Sequence, residues 1–209
     1  MNAGTGYESA VGYTPSENLP QLIDTMKRAC AALDEAGVPA MLGGGLATWA
    51  RGGPPTDHDV DFYLRENDAS RALEALEAIG MRSSTPPEGW LLKAHDDSHD
   101  ESVLVDLIYR PAGGPIGDEH FQRATPMELM AQPVLVASID DVLSTKLMAI
   151  TEQEPDFRAV LEIARSLREQ IDWSLVRQRT ETSAFAAAFF TLVEALEIAP
   201  REIEPALAT

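Results

Sequence analysis

The chain has 209 residues, 44% of them hydrophobic, one cysteine, and 16 Lys plus Arg against 34 Asp plus Glu, a formal net charge of −18. That length buries a core unaided, and a lone Cys30 can form neither an internal bridge nor a multi-cysteine zinc site. The negative charge disfavours a sequence-independent nucleic-acid coat, and no apolar run suits a membrane span or a secretory leader, so a soluble cytoplasmic protein is expected.

Residues 1–17 are rich in Gly, Ser, Thr and Pro and read as a flexible N-terminus. From Leu19 the apolar positions Leu22, Ile23, Met26, Cys30 and Leu33 recur at helical spacing, with Gly37 as the stop and Cys30 as a core residue. Val38 to Leu42 reads as a short buried strand entering Gly43-Gly44-Gly45, and Leu46 to Arg51 as a short helix. A Gly/Pro turn follows, then a strand from Asp59 to Leu64. Asn67 and Asp68 are expected to cap a helix carrying Leu73, Leu76 and Ile79, ending at Gly80.

Residues 81–93 are read as one or two strands, and Ala94 to Glu101 as a polar turn. Val103 to Ile108 is the clearest strand in the chain. A Gly/Pro loop is expected after it, then a short strand at Val134 to Val136. Beyond Ser138 the pattern turns helical, with helices near 139–152, 156–170, 173–181 and 183–197. The fold class is therefore α/β: a mixed sheet domain over residues 18–137, then a helical region over 138–209.

Three aspartates carry the chemical signal. Asp59 and Asp61 share one face of their strand, about 7 Å apart along it. Like charges that close disfavour each other unless something cationic sits between them. Asp106 is the only polar residue in the run VLVDLI, where an unpaired carboxylate would be costly. If the two strands are neighbours, three carboxylates converge, a ligand set that suits Mg²⁺ or Mn²⁺. Upstream, Gly44-Gly45 at a strand-to-helix junction lets backbone N–H groups approach an anion.

The stretch GGGLATWARGGPPTDHDVDFYL, with Asp106 on a later strand, resembles the signature of the DNA polymerase β-type nucleotidyltransferase superfamily. The resemblance covers roughly residues 38–165. Within the superfamily the chain is most similar to small stand-alone bacterial nucleotidyltransferases, including toxins of toxin–antitoxin pairs that modify tRNA ends. It implies a minimal nucleotidyltransferase fold and a two-metal phosphoryl transfer from an NTP. Asp59 and Asp61 would hold both ions, and Asp106 would bind the second beside the attacking hydroxyl. Gly44, Gly45 and Thr56 would line the phosphates. Relatives often carry Ser or Thr two residues before the first aspartate, where this chain has Asp57, so the resemblance leaves the role of Thr56 open.

Ser138 and Asp141 resemble a capping box, and Lys146 lies on the apolar stripe of the helix they start. Two readings stand for it: contact with a triphosphate, as the resemblance implies, or snorkelling to water. Asp156 either orients Lys146 or is a favourable charge in a first helical turn. The tract His95 to Glu101 is read as a polar loop rather than a metal site, and His58 as a strand residue facing away from the carboxylates. Trp49, Trp90 and Trp173 are expected to pack.

The expected activity is transfer of an NMP from an NTP, ATP among them, to an acceptor hydroxyl. A tRNA 3′ end is the first expectation, with an antitoxin protein as possible partner. A small-molecule alcohol such as an aminoglycoside is the alternative, and suits the negative charge better. An RNA acceptor would need a basic face built from Arg51, Arg110, Arg123, Lys146, Arg158, Arg165 and Arg168. A non-catalytic nucleotide-binding module is the reading from another class.

Overall fold

The computed structural model describes residues 18–201 apart from residues 57, 85 and 88, so the expectations for residues 1–17 and for Asp57 lie outside the described residues. Helix α1 (Leu19–Glu35) buries Leu22, Met26, Cys30 and Leu33 along one stripe and ends where Gly37 takes a φ of +61°. Burial, with the nearby Asp34 charge, pushes the Cys30 thiol up to about 12, as suits a core residue. Strand β1 (Ala40–Leu42) leads through Gly43 into helix α2 (Gly44–Ala50). Strand β2 (Asp59–Leu64) and helix α3 (Ala69–Ala78) follow. Asp68 sits at the α3 N-cap without a capping bond; its carboxylate pairs with Arg71 at 3.0 Å instead.

Strands β3 (Arg82–Ser84), β4 (Leu91–Asp96) and β5 (Val103–Ile108) come next. The expected polar turn therefore starts too early, because Ala94, His95 and Asp96 belong to β4. After β5 the chain forms a helix α4 (Asp118–Arg123) and a hairpin of β6 (Thr125–Leu129) and β7 (Gln132–Val136), where a plain loop and one short strand were expected. Pro126 and Pro133 hide this hairpin from pattern reading, since proline is confined to sheet edges and strand ends. Helices α5 (Ile139–Ala149), α6 (Arg158–Leu167), α7 (Trp173–Arg179) and α8 (Ala184–Ala195) match the helical pattern.

The strands form one mixed sheet in the order β3-β4-β5-β2-β1-β7-β6. Its central pair, β2 and β5, is parallel, with Asp61 opposite Asp106. Because side chains alternate, Val60, Phe62, Val105 and Leu107 go to the face covered by α1 and α3, where they are buried. Asp59, Asp61 and Asp106 go to the opposite face, bordered by α2 and α5. The core lies mainly between the sheet and α1, and continues under α5 through Val142, Leu143 and Leu147. No helix among the described residues is long and apolar enough to cross a membrane.

Candidate active site

Register brings the three aspartates together. Ligand oxygens of Asp59, Asp61 and Asp106 all lie within 4.8 Å of one another, and among the described residues this is the acidic group that could share a metal ion. Burial, and then the charge of Asp59, pushes the Asp61 carboxyl up to about 7, against the opposing pull of Lys146. Burial and the Asp106 charge push Asp59 upward too. Both carboxylates are thus held where ionisation costs free energy that a bound cation would offset. An all-oxygen donor set at this spacing fits Mg²⁺ or Mn²⁺.

The glycine turn is built onto the carboxylates. Gly43 N–H donates to the Asp61 carbonyl at 2.8 Å, tying the turn to β2. Gly44 has a φ of +49°, and a Cβ there would sit 1.6 Å from Asp61 Oδ2. A Cβ on Gly45 would meet the Thr56 hydroxyl at 2.3 Å. Only glycine allows backbone this close to the acidic side chains. Thr56 therefore borders the turn despite its unexpected offset from Asp59.

Lys146 reaches the site from α5. Its charge counters those of both Asp59 and Asp61, and it lines a cavity of about 690 Å³ with Asp61, Tyr63, Trp90, Ile108 and Met148. Ser138 caps the helix that carries it, accepting the Asp141 backbone N–H at 3.2 Å. Tyr63 fills the space beside Gly43; burial and the Asp61 charge push its phenol upward.

Several residues depart from expectation. Lys93 on β4 faces Asp106 and donates to both of its carboxylate oxygens, at 2.8 and 2.9 Å. The signal was present, since it is one of only three lysines, but the strand register that aims it was not legible. Trp90 is 37% exposed at the cavity rim rather than packed. Asp156, by contrast, follows the second of its two readings, exposed and accepting the Arg158 backbone N–H at 2.8 Å at the start of α6. His58 is exposed and precedes β2, and its charge bears on Asp59.

Most of the basic side chains that an RNA face would need are engaged. Arg51 donates to the carbonyls of Ala137 and Val136, and Arg110 grips Glu66 at 2.6 and 2.7 Å. Arg123 pairs with Asp141, Arg158 with Glu162, and Arg168 with Glu169.

The family described as "Nucleotidyl transferase of unknown function (DUF2204)" matches residues 22–185. The chain belongs to this family. The nucleotidyltransferase assignment agrees with the polymerase β-type resemblance and with the fold of solved structures. The antibiotic-resistance factor ANT(2″)-Ia is 19% identical at a TM-score of 0.54, covering 86% of this chain and 96% of its own. A nucleotidyltransferase-like antigenic protein from Paracoccidioides brasiliensis is 13% identical at a TM-score of 0.56, covering 87% and 94%. No curated protein matches the chain by sequence. The mixed sheet flanked by helices is the α/β nucleotidyltransferase architecture.

Proposed function

We propose that this nucleotidyltransferase moves AMP from ATP to a hydroxyl of a small, positively charged acceptor, with a divalent cation, Mg²⁺ or Mn²⁺, held within the carboxylate cluster that Asp59, Asp61 and Asp106 form. The observation that carries the reading is the convergence of these three carboxylates beside the Gly44–Gly45 turn. The bound cation would neutralise phosphate charge as the acceptor attacks. The acceptor oxygen bonds to the α-phosphorus while the bond to the bridging oxygen breaks, releasing pyrophosphate. The hydroxyl proton passes to the Asp106 carboxylate. Gly44, Gly45 and Thr56 border the triphosphate, and Lys146 offsets its charge. The catalysis is positioning and charge neutralisation, as in phosphoryl transfer generally.

Two features favour a small cationic acceptor over a tRNA end. The net charge of −18 attracts cations and repels a polyanion. The arginines a nucleic acid would need are largely paired with acids, as described above. The fold likeness to ANT(2″)-Ia, described in complex with adenylyl-2″-tobramycin, runs in the same direction. The test is incubation with Mg²⁺ and α-labelled ATP, offered in parallel aminocyclitol antibiotics and total cellular RNA. Label on the amino-alcohol, lost in Asp61→Asn, is expected. Label in tRNA-sized material would replace the acceptor assignment, and no label in any arm would overturn the reading.

A further inference from the structure

Lys93 lies directly across the β4–β5 pair from Asp106. Its ammonium contacts both carboxylate oxygens, and Asp106 is only 7% exposed. Two of the three ammonium N–H groups are thereby committed to one carboxylate. Lys146 of α5 counters the charges of Asp59 and Asp61 more strongly than Lys93 does, and the direct contacts of Lys93 go to Asp106. The acidic trio is therefore divided. One carboxylate already has a bidentate cation of its own, and two remain for a shared ligand.

We infer that Lys93 stands where a second divalent cation would otherwise sit, so that the loaded site holds a single ion between Asp59 and Asp61. This rests on the metal-dependent reading above. A dication binding Asp106 would have to displace the ammonium from both oxygens or lie beside it, and like charges in a half-buried site repel strongly. The three carboxylates and two lysines already sum to −1, so one dication leaves the site positive and ready for a triphosphate. An acceptor oxygen approaching beside Asp106 would then meet the Lys93 ammonium, whose positive charge favours that oxygen as its proton leaves.

The experiment reads ion number directly. The full chain is loaded with Mn²⁺ and a non-hydrolysable α,β-methylene ATP. Bound Mn²⁺ per chain is then counted, and the electron paramagnetic resonance spectrum recorded. Two ions at the roughly 3.5–4 Å spacing of a two-metal site give a spin-coupled spectrum, whereas one gives an isolated-ion spectrum. The wild type and Lys93→Arg should each bind one isolated ion, and Lys93→Met should bind two coupled ions. A coupled pair in the wild type overturns the inference, as does a single ion in Lys93→Met. No bound Mn²⁺ in the wild type instead overturns the metal-dependent reading, and the inference with it. Circular dichroism checks each fold; if Lys93→Met does not fold, the wild-type and Lys93→Arg spectra decide alone.

Discussion

Thr25 and Asp96, 71 residues apart in sequence, are joined by a buried 2.8 Å hydrogen bond that fastens α1 to the last residue of β4. Arg28, one turn further along α1, pairs with the same carboxylate at 2.6 Å. Burial alone would push Asp96 up, but hydrogen bonds from Ser98, Thr25 and Arg28 together bring it down to about 2. A carboxyl lowered in the folded state stabilises fully above its unfolded value near 4, and that contribution disappears as pH falls through 2. Asp96→Asn should therefore cost about 2 kcal/mol at pH 7 and progressively less toward pH 2. Urea unfolding at pH 7 and pH 3 checks it; an equal loss at both would refute the assignment.

The two classes of buried aspartate should respond in opposite ways to loss of charge. Asp141 is buried and held by Arg123, Arg179 and Ser138, so Asp141→Asn leaves two half-buried cations without their carboxylate and should destabilise by about 3 kcal/mol. Asp59→Asn and Asp61→Asn relieve mutual repulsion instead. They should leave the metal-free melting temperature unchanged or raise it, while transfer falls by roughly 10²–10³-fold. Scanning calorimetry in EDTA, beside a labelled-nucleotide assay, separates the two patterns.

Gly44→Ala and Gly37→Ala compare two glycines with positive φ. Around Gly37 a Cβ meets nothing within 4 Å, so only backbone strain of about 1 kcal/mol is expected, with activity retained. At Gly44 the same methyl collides with Asp61, so the carboxylate must move and transfer should fall at least about 100-fold. Comparable activity in the two variants would mean that the turn does not border the reacting groups.

Trp90 and Lys146 border the same cavity and should show in KM before kcat. If a flat ring of a substrate lies on the exposed indole, Trp90→Ala should raise KM for that substrate roughly 10-fold, at the lower end of aromatic stacking. Lys146→Met should raise KM for ATP, with partial rescue in Lys146→Arg. Steady-state kinetics with each substrate varied in turn tells which one meets Trp90.

The aspartates were legible because a strand has a period of two. Asp59-Val60-Asp61 had to place two carboxylates on one side, and a lone Asp106 in an apolar strand had to be accounted for. Lys93 was not legible. Its partnership depends on the β4–β5 register, set by the connection between Asp96 and Val103, whereas residues 81–93 alone could not distinguish one strand from two. Asp96 was misplaced for a related reason. In a run as polar as HDDSHDE, nothing local tells the residue turned toward α1 from those turned to solvent. The β6–β7 hairpin was hidden by its prolines, whose missing N–H argues against a strand unless the strand lies at an edge.

One of those prolines, and a very short strand at the opposite edge, shape what can attach to the molecule's two rims. At one rim, β6 carries Pro126, which has no N–H to offer an incoming strand. At the other, β3 is only three residues long and begins with Arg82, which is tied to Asp97. Neither border is a good template for pairing with another copy. With both edges blunted in this way, the sheet resists growth into a fibril by strand addition.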